Sequence, residues 1–171
     1  MRHKFFITIL SLIMCIITSC SKDKFKPLDT SSNDVSATIS IGSNAPFQFS
    51  ATGAAVRTYP LISNPSTYRI EATDANNNNL IIGVENVTKT GTYPFTSNNV
   101  TGNGLTFVKN VGALSQLTYR TSDPSITNKG SVTITALDNH HIEGVFTAFC
   151  KNDNNTGEVA HISNGSFKGN F

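Results

Sequence analysis

Beyond a single run near its amino terminus, the chain has no apolar stretch approaching membrane-spanning length. It also has no basic stripe, no pair of cysteines free to join, and no window with a helical apolar period. Each absence excludes something. Without a basic stripe, nucleic-acid binding has no electrostatic footing. Charge is sparse at 14%. Two of the 13 basic residues, Arg2 and Lys4, sit at the very start, and the other eleven balance the 11 acids. Of the three cysteines, Cys15 lies inside the apolar run, Cys20 closes it, and Cys150 stands alone. No intramolecular disulfide can form, so stability has to come from a packed core. Residues 20–171 are enough for one.

The exception is the amino-terminal run. Arg2, His3 and Lys4 supply a positive head, and Phe5 to Ile17 continues apolar except at Thr8 and Ser11. Crossing a bilayer takes about 20 apolar residues, so this length fits the core of an export signal instead. The run ends in Ile17-Thr18-Ser19-Cys20, a lipobox: small residues beside a scissile bond, then a thiol to carry diacylglycerol. Residues 1–19 are therefore expected to be a lipoprotein signal peptide, with a lipidated Cys20 opening the mature chain. Two or more acyl chains make a stable anchor, where one gives only marginal binding. The expected location is the outer membrane, on its periplasmic face or at the cell surface. Residues 20–34 read as a flexible tether, rich in Ser, Lys and Asp with Pro27 and no apolar period. Ser21-Lys22-Asp23-Lys24 holds one acid, a poor signal for surface export.

From Val35 the apolar period is two, the mark of half-buried strands. Val35, Ala37, Ile39 and Ile41 alternate with Ser and Thr, and Phe47 and Phe49 with Gln48 and Ser50. Tyr68, Ile70 and Ala72 face one way and Arg69, Glu71 and Thr73 the other. A turn at Asp74–Asn79 returns Leu80, Ile82 and Val84 to the inner side. Further strands are expected at 105–109, 116–121, 131–137, 142–150 and 159–171, with Gly, Asn, Asp and Pro in nearly every gap. In the hairpin from Gly130 to Cys150, Val132, Ile134 and Ala136 run in while Ile142, Phe146 and Ala148 run back. Gly144 falls on the inner face, where a missing side chain admits an aromatic ring or marks a bulge. Asn164-Gly165 suits another bulge, and the aromatic final residue suggests that the chain ends within the sheet. The expectation is an all-β domain over residues 35–171, a single antiparallel β-sandwich of about 8–10 short strands, with a small β-barrel as the alternative.

These strands carry further local patterns: Gly91-Thr92-Tyr93-Pro94-Phe95, Gly130-Ser131-Val132-Thr133-Ile134-Thr135, Ile142-Glu143-Gly144-Val145-Phe146-Thr147-Ala148 and Ile162-Ser163-Asn164-Gly165-Ser166-Phe167. Placed after a lipobox and a Thr/Ser-alternating first strand, they resemble an uncharacterised domain family of small Bacteroidota-type lipoproteins. The resemblance covers about residues 35–171 and lies in strand and turn positions. It implies a β fold and brings no catalytic residues with it.

Four constellations could carry chemistry. Asp74-x-Asn76-x-Asn78 with Glu85 has the spacing of a calcium loop. Yet Asn79 stands where that loop needs Gly, and a strand over 80–84 would carry Glu85 roughly 16 Å away at about 3.3 Å per residue. A solvated hairpin tip is expected there. His141 and Glu143 share a strand face, with His161 as a third imidazole, in the manner of a metal pair. That face is the outer one if Ile142 and Phe146 point in, and His140 belongs to an exposed turn. Cys150 could act as a nucleophile with a histidine base, but its parity with Phe146 and Ala148 makes it a buried, inert thiol. Glu71 and Glu85, on neighbouring strands, would need a shared cleft for glycoside hydrolysis, and both fall opposite the apolar residues. Tyr59, Tyr93 and Tyr119 are spread along or near a polar outer surface dense in Thr, Ser and Asn. The reading is a lipid-anchored, non-enzymatic binding or structural module of the envelope. It needs no cofactor, and its partners are the membrane through Cys20 and an envelope protein or glycan. A barrel-like carrier of a small ligand ranks second, and a metal-dependent or glycan-acting enzyme third.

Overall fold

Alternation of apolar and small polar residues builds the strands of the described residues. The computed structural model describes residues 33–58, 66–96, 102–154 and 157–171. The strands are β1 (Asp34–Ile41), β2 (Phe47–Thr52), β3 (Ala55–Thr58), β4 (Tyr68–Thr73), β5 (Asn79–Val84), β6 (Gly91–Pro94), β7 (Gly104–Lys109), β8 (Leu117–Arg120), β9 (Gly130–Leu137), β10 (His141–Asn152) and β11 (Val159–Asn170). No helix occurs among the described residues. The expected signal peptide, Cys20 and nearly all of the expected tether lie outside them.

All eleven strands join one antiparallel sheet, whose main path runs β2-β1-β11-β10-β8-β7-β5-β4-β3. Its two ends, β2 and β3, are consecutive in the chain and separated only by Gly53 and Ala54. The path therefore bends back on itself into a nearly closed, barrel-like sheet, as in the barrel alternative, with two halves facing each other across one core. Asn33 braces the corner. Its carbonyl accepts from Ala54 N at 2.9 Å, and its side chain bonds Ala54 O and Asn170 N at 2.9 and 2.7 Å.

The long strand β10 forks the sheet. One edge pairs with β11 throughout, while the other pairs first with β9 (Ile142–Ala148) and then with β8 at Lys151 and Asn152. β9 carries β6 on its far side. At the fork, Phe149 N donates to Lys129 O at 3.2 Å. Gly130, with φ +88°, begins β9 there. A Cβ on it would collide with the Thr147 carbonyl, so only glycine fits.

The inner face is filled by its own side chains. Ile39, Phe49, Ile70, Leu80, Ile82, Phe107, Tyr119, Ile142 and Ile162 are fully buried. The two expected glycine positions form a reciprocal pair across β10 and β11. Phe146 stands opposite Gly165 and Phe167 opposite Gly144. A Cβ on Gly165 would lie 2.5–2.6 Å from Phe146 ring atoms, and one on Gly144 2.6 Å from Phe167 Cζ. Each ring thus occupies the volume that the partner strand vacates. β11 is bulged as well: its register against β10 shifts between Phe146 and Ala148, where β11 carries one extra residue beside Asn164 at φ +50°. A second shift, between Glu143 and Gly144, inserts Thr135 into β9. It turns Ala136 to the outer side, opposite Glu143, so the expected run of three inward residues stops at Ile134. Phe171 closes the end of the sheet, its ring 5.2 Å from Tyr68 edge-on and its N–H on His140 O at 3.0 Å.

Candidate functional site

The side chains singled out in the sequence scatter over the molecule. Ala75, Asn76 and Asn77 are exposed, so the hairpin tip is solvated as expected, while Asp74 and Asn78 at its base are only 6% and 5% exposed. Asp74 Oδ1 accepts from Asn76 N and Asn78 N at 2.8 and 2.9 Å, and its Oδ2 from Asn78 Nδ2 at 2.9 Å. These bonds hold a turn with Asn77 at φ +57°. Glu85 follows β5 at its opposite end, with its N–H on Asn103 Oδ1 at 2.8 Å.

His141 also departs from expectation. Parity puts it on the outer face with Glu143, yet it is only 1% exposed. Its Nδ1 lies 2.6 Å from Asn170 Oδ1 and its Nε2 3.0 Å from Glu143 Oε1. With both nitrogens engaged, the ring is a fixture of this end of the barrel. His161 cannot join it. It stacks on Phe149 at 4.4 Å, and Phe149 is eight residues along β10, roughly 26 Å from His141 at about 3.3 Å per residue. His140 is exposed in its turn, as expected. Among the described residues no three His, Cys, Asp or Glu side chains are grouped to hold a metal ion.

Cys150 is fully buried, as its parity required. Desolvation pushes its thiol far above the ordinary range, which suppresses the thiolate that a nucleophile needs. Tyr119, expected along or near the outer surface, is inside the core with no exposure. Its hydroxyl donates to Glu158 Oε2 at 2.7 Å, and Asn152 Nδ2 donates to the same oxygen at 3.1 Å. Burial, then the Glu158 contact, raises the phenol, while Tyr119 and Asn152 hold the Glu158 carboxyl below its usual value. Tyr93 packs half-buried against the core, its hydroxyl on Lys89 O at 2.7 Å. Tyr59 lies outside the described residues.

A concavity among the described residues is one that no motif marked. It is a groove of about 530 Å³ on the outer face of β4, β5, β7 and β8, within the usual size range of ligand sites. Its floor is a break in the side-chain rows where Gly83 of β5 pairs directly with Gly104 of β7. Ile81, Thr106, Val108 and Thr118 surround that bare backbone. Arg69 stands opposite Gly83 on β4, and Arg120 opposite Thr106 on β8. Arg69 donates to Glu71 Oε2 through Nε and Nη2 at 3.3 and 3.2 Å, and Arg120 Nη1 reaches Asp153 Oδ2 at 3.0 Å. With both guanidinium side chains 40% or more exposed, the pairs add little to stability.

Gly83 is the informative residue. It has no left-handed φ, and a Cβ built on it would meet only Gly104 O at 3.9 Å, an ordinary contact. Packing and turn geometry explain Gly130, Gly144 and Gly165 but leave Gly83 unexplained. Glycine inside a strand costs about 0.5–1 kcal/mol against alanine, and a strand glycine without a structural reason marks close approach of something to the backbone.

Fold and groove together define an all-β, barrel-like domain with an external cleft of mixed polar and apolar lining. The chain belongs to the family described as "Domain of unknown function (DUF6252)", whose model matches residues 44–169. No curated protein and no solved structure matches it.

Proposed function

We propose that the protein is a lipid-anchored envelope lipoprotein whose barrel acts as a non-enzymatic binding module, with the groove over Gly83 and Gly104 as its binding site. The observation that carries the binding role is the glycine floor: Gly83 has room for a side chain and lacks one. The chemistry of the remaining candidates supports the same reading, since Cys150 is sealed in the core and His141 is saturated by Asn170 and Glu143.

Anchoring rests on the lipobox Ile17-Thr18-Ser19-Cys20. Metabolic labelling with an acyl precursor should mark the wild type and leave Cys20→Ala unlabelled, and label retained by the mutant removes the anchor from this proposal. Binding is tested on the lipidated protein purified from its own envelope. Wild type should carry material that Gly83→Phe, with its ring in the groove, does not. Equal loads on the two proteins would sink the groove as the site.

A further inference from the structure

We infer that the groove takes a neutral saccharide, an assignment resting on the reading of the groove as the binding site. The charge arrangement selects this class. Each arginine on the walls already faces an acid, Arg69 with Glu71 and Arg120 with Asp153. Glu85 adds a further acid to the lining, and Lys151, opposite Arg120, is paired with Asp123 at 3.4 Å. The site therefore offers no surplus positive charge to an anion, and an anionic ligand would have to compete with Glu71 and Asp153 for the same guanidinium forks. What it does present is a set of fixed donors and acceptors side by side, which hydroxyl groups can satisfy in both directions.

The floor fits the rest of a sugar. Bare backbone at Gly83 and Gly104 spans two strands about 4.8 Å apart, flanked by Ile81, Val108, Thr106 and Thr118. That is an apolar shelf on which the C–H face of a ring can lie without meeting a Cβ. Beside it stands a further neutral hydrogen-bonding group, Gln116. Gln116 is oriented in advance, because its Oε1 accepts from Gly112 N at 2.9 Å and leaves the amide NH2 as the donor. The cleft lies along the outside of the sheet, so an interior unit of a polymer can be held as well as a chain end.

The test uses the full mature lipoprotein in detergent, titrated with soluble β-glucan, mannan and galactan, and with alginate as the acidic comparator. At least one neutral polysaccharide should bind, with affinity unchanged between low salt and about 0.5 M because no counter-charge is involved. Gly83→Phe should weaken it by about tenfold or more at an unaltered melting temperature, and Arg120→Ala, on the half-exposed wall, by severalfold. Binding of alginate alone, neutral binding that vanishes with salt, or equal affinity in Gly83→Phe overturns the assignment. If no polysaccharide binds while wild type still carries envelope material that Gly83→Phe lacks, the saccharide falls and the groove stands. If that difference is missing too, both fall.

Discussion

Alanine at Gly83 and alanine at Gly165 make the same chemical change on two strands of one sheet, and the structure requires opposite outcomes. At Gly165 the new methyl would sit 2.5–2.6 Å from three atoms of the Phe146 ring. The ring cannot retreat, since Phe146 is 3% exposed and its neighbour Phe167 lies 6.3 Å away, centroid to centroid. Overpacking of that kind costs typically about 1–3 kcal/mol. At Gly83 the methyl points into the groove, 3.9 Å from Gly104 O, with an ordinary strand φ. The substitution there removes unfolded-state freedom and should stabilise by about 0.5–1 kcal/mol. Urea unfolding of wild type and both variants, compared through midpoints at constant slope, measures the two changes. Gly83→Ala destabilised by more than about 1 kcal/mol would mean that the glycine serves the fold, and the case for the groove would lose its foundation.

Three further outcomes follow from packing and protonation. Phe146→Ala should cost about 3–5 kcal/mol, the loss of a buried ring plus its cavity, whereas Glu143→Ala, on the outer face, should cost about 1–3 kcal/mol because it strips a partner from buried His141; denaturant melts rank the two, and a neutral Glu143→Ala would contradict the buried His141 contact. Glu158 is held below its usual carboxyl range first by Tyr119 and then by Asn152, so the stability it lends is present above that range and disappears as pH falls through its folded-state value. Glu158→Gln should flatten this part of the acid limb in melts taken from pH 6 down to about 3, and an unchanged acid limb would refute the coupling. Cys150, fully buried with its thiol pushed up, should resist alkylation in the native protein and react only on unfolding; rapid native labelling by iodoacetamide would contradict its burial.

The local order of this protein is written in its sequence because a strand's side chains alternate and a core must be apolar. Tyr68, Ile70 and Ala72 against Arg69, Glu71 and Thr73 already state which way β4 faces, and the structure keeps that split. Gly144 on the inner face foretold a ring or a bulge, and the structure has a ring there and a bulge beside it. Tertiary structure alone decided the rest, since it depends on which distant strands meet. Nothing local says that β10 forks the sheet, or that two residues between β2 and β3 carry the chain from one end of the sheet to the other. The Thr135 bulge reverses Ala136 without changing the pattern of letters. His141, placed outside by parity, is buried because Asn170, 29 residues on, reaches its other nitrogen. The groove follows the same rule. Gly83 is one glycine in an apolar strand, Gly104 is its partner only because β5 and β7 pair in one register, and only that pairing turns two separate glycines into a floor.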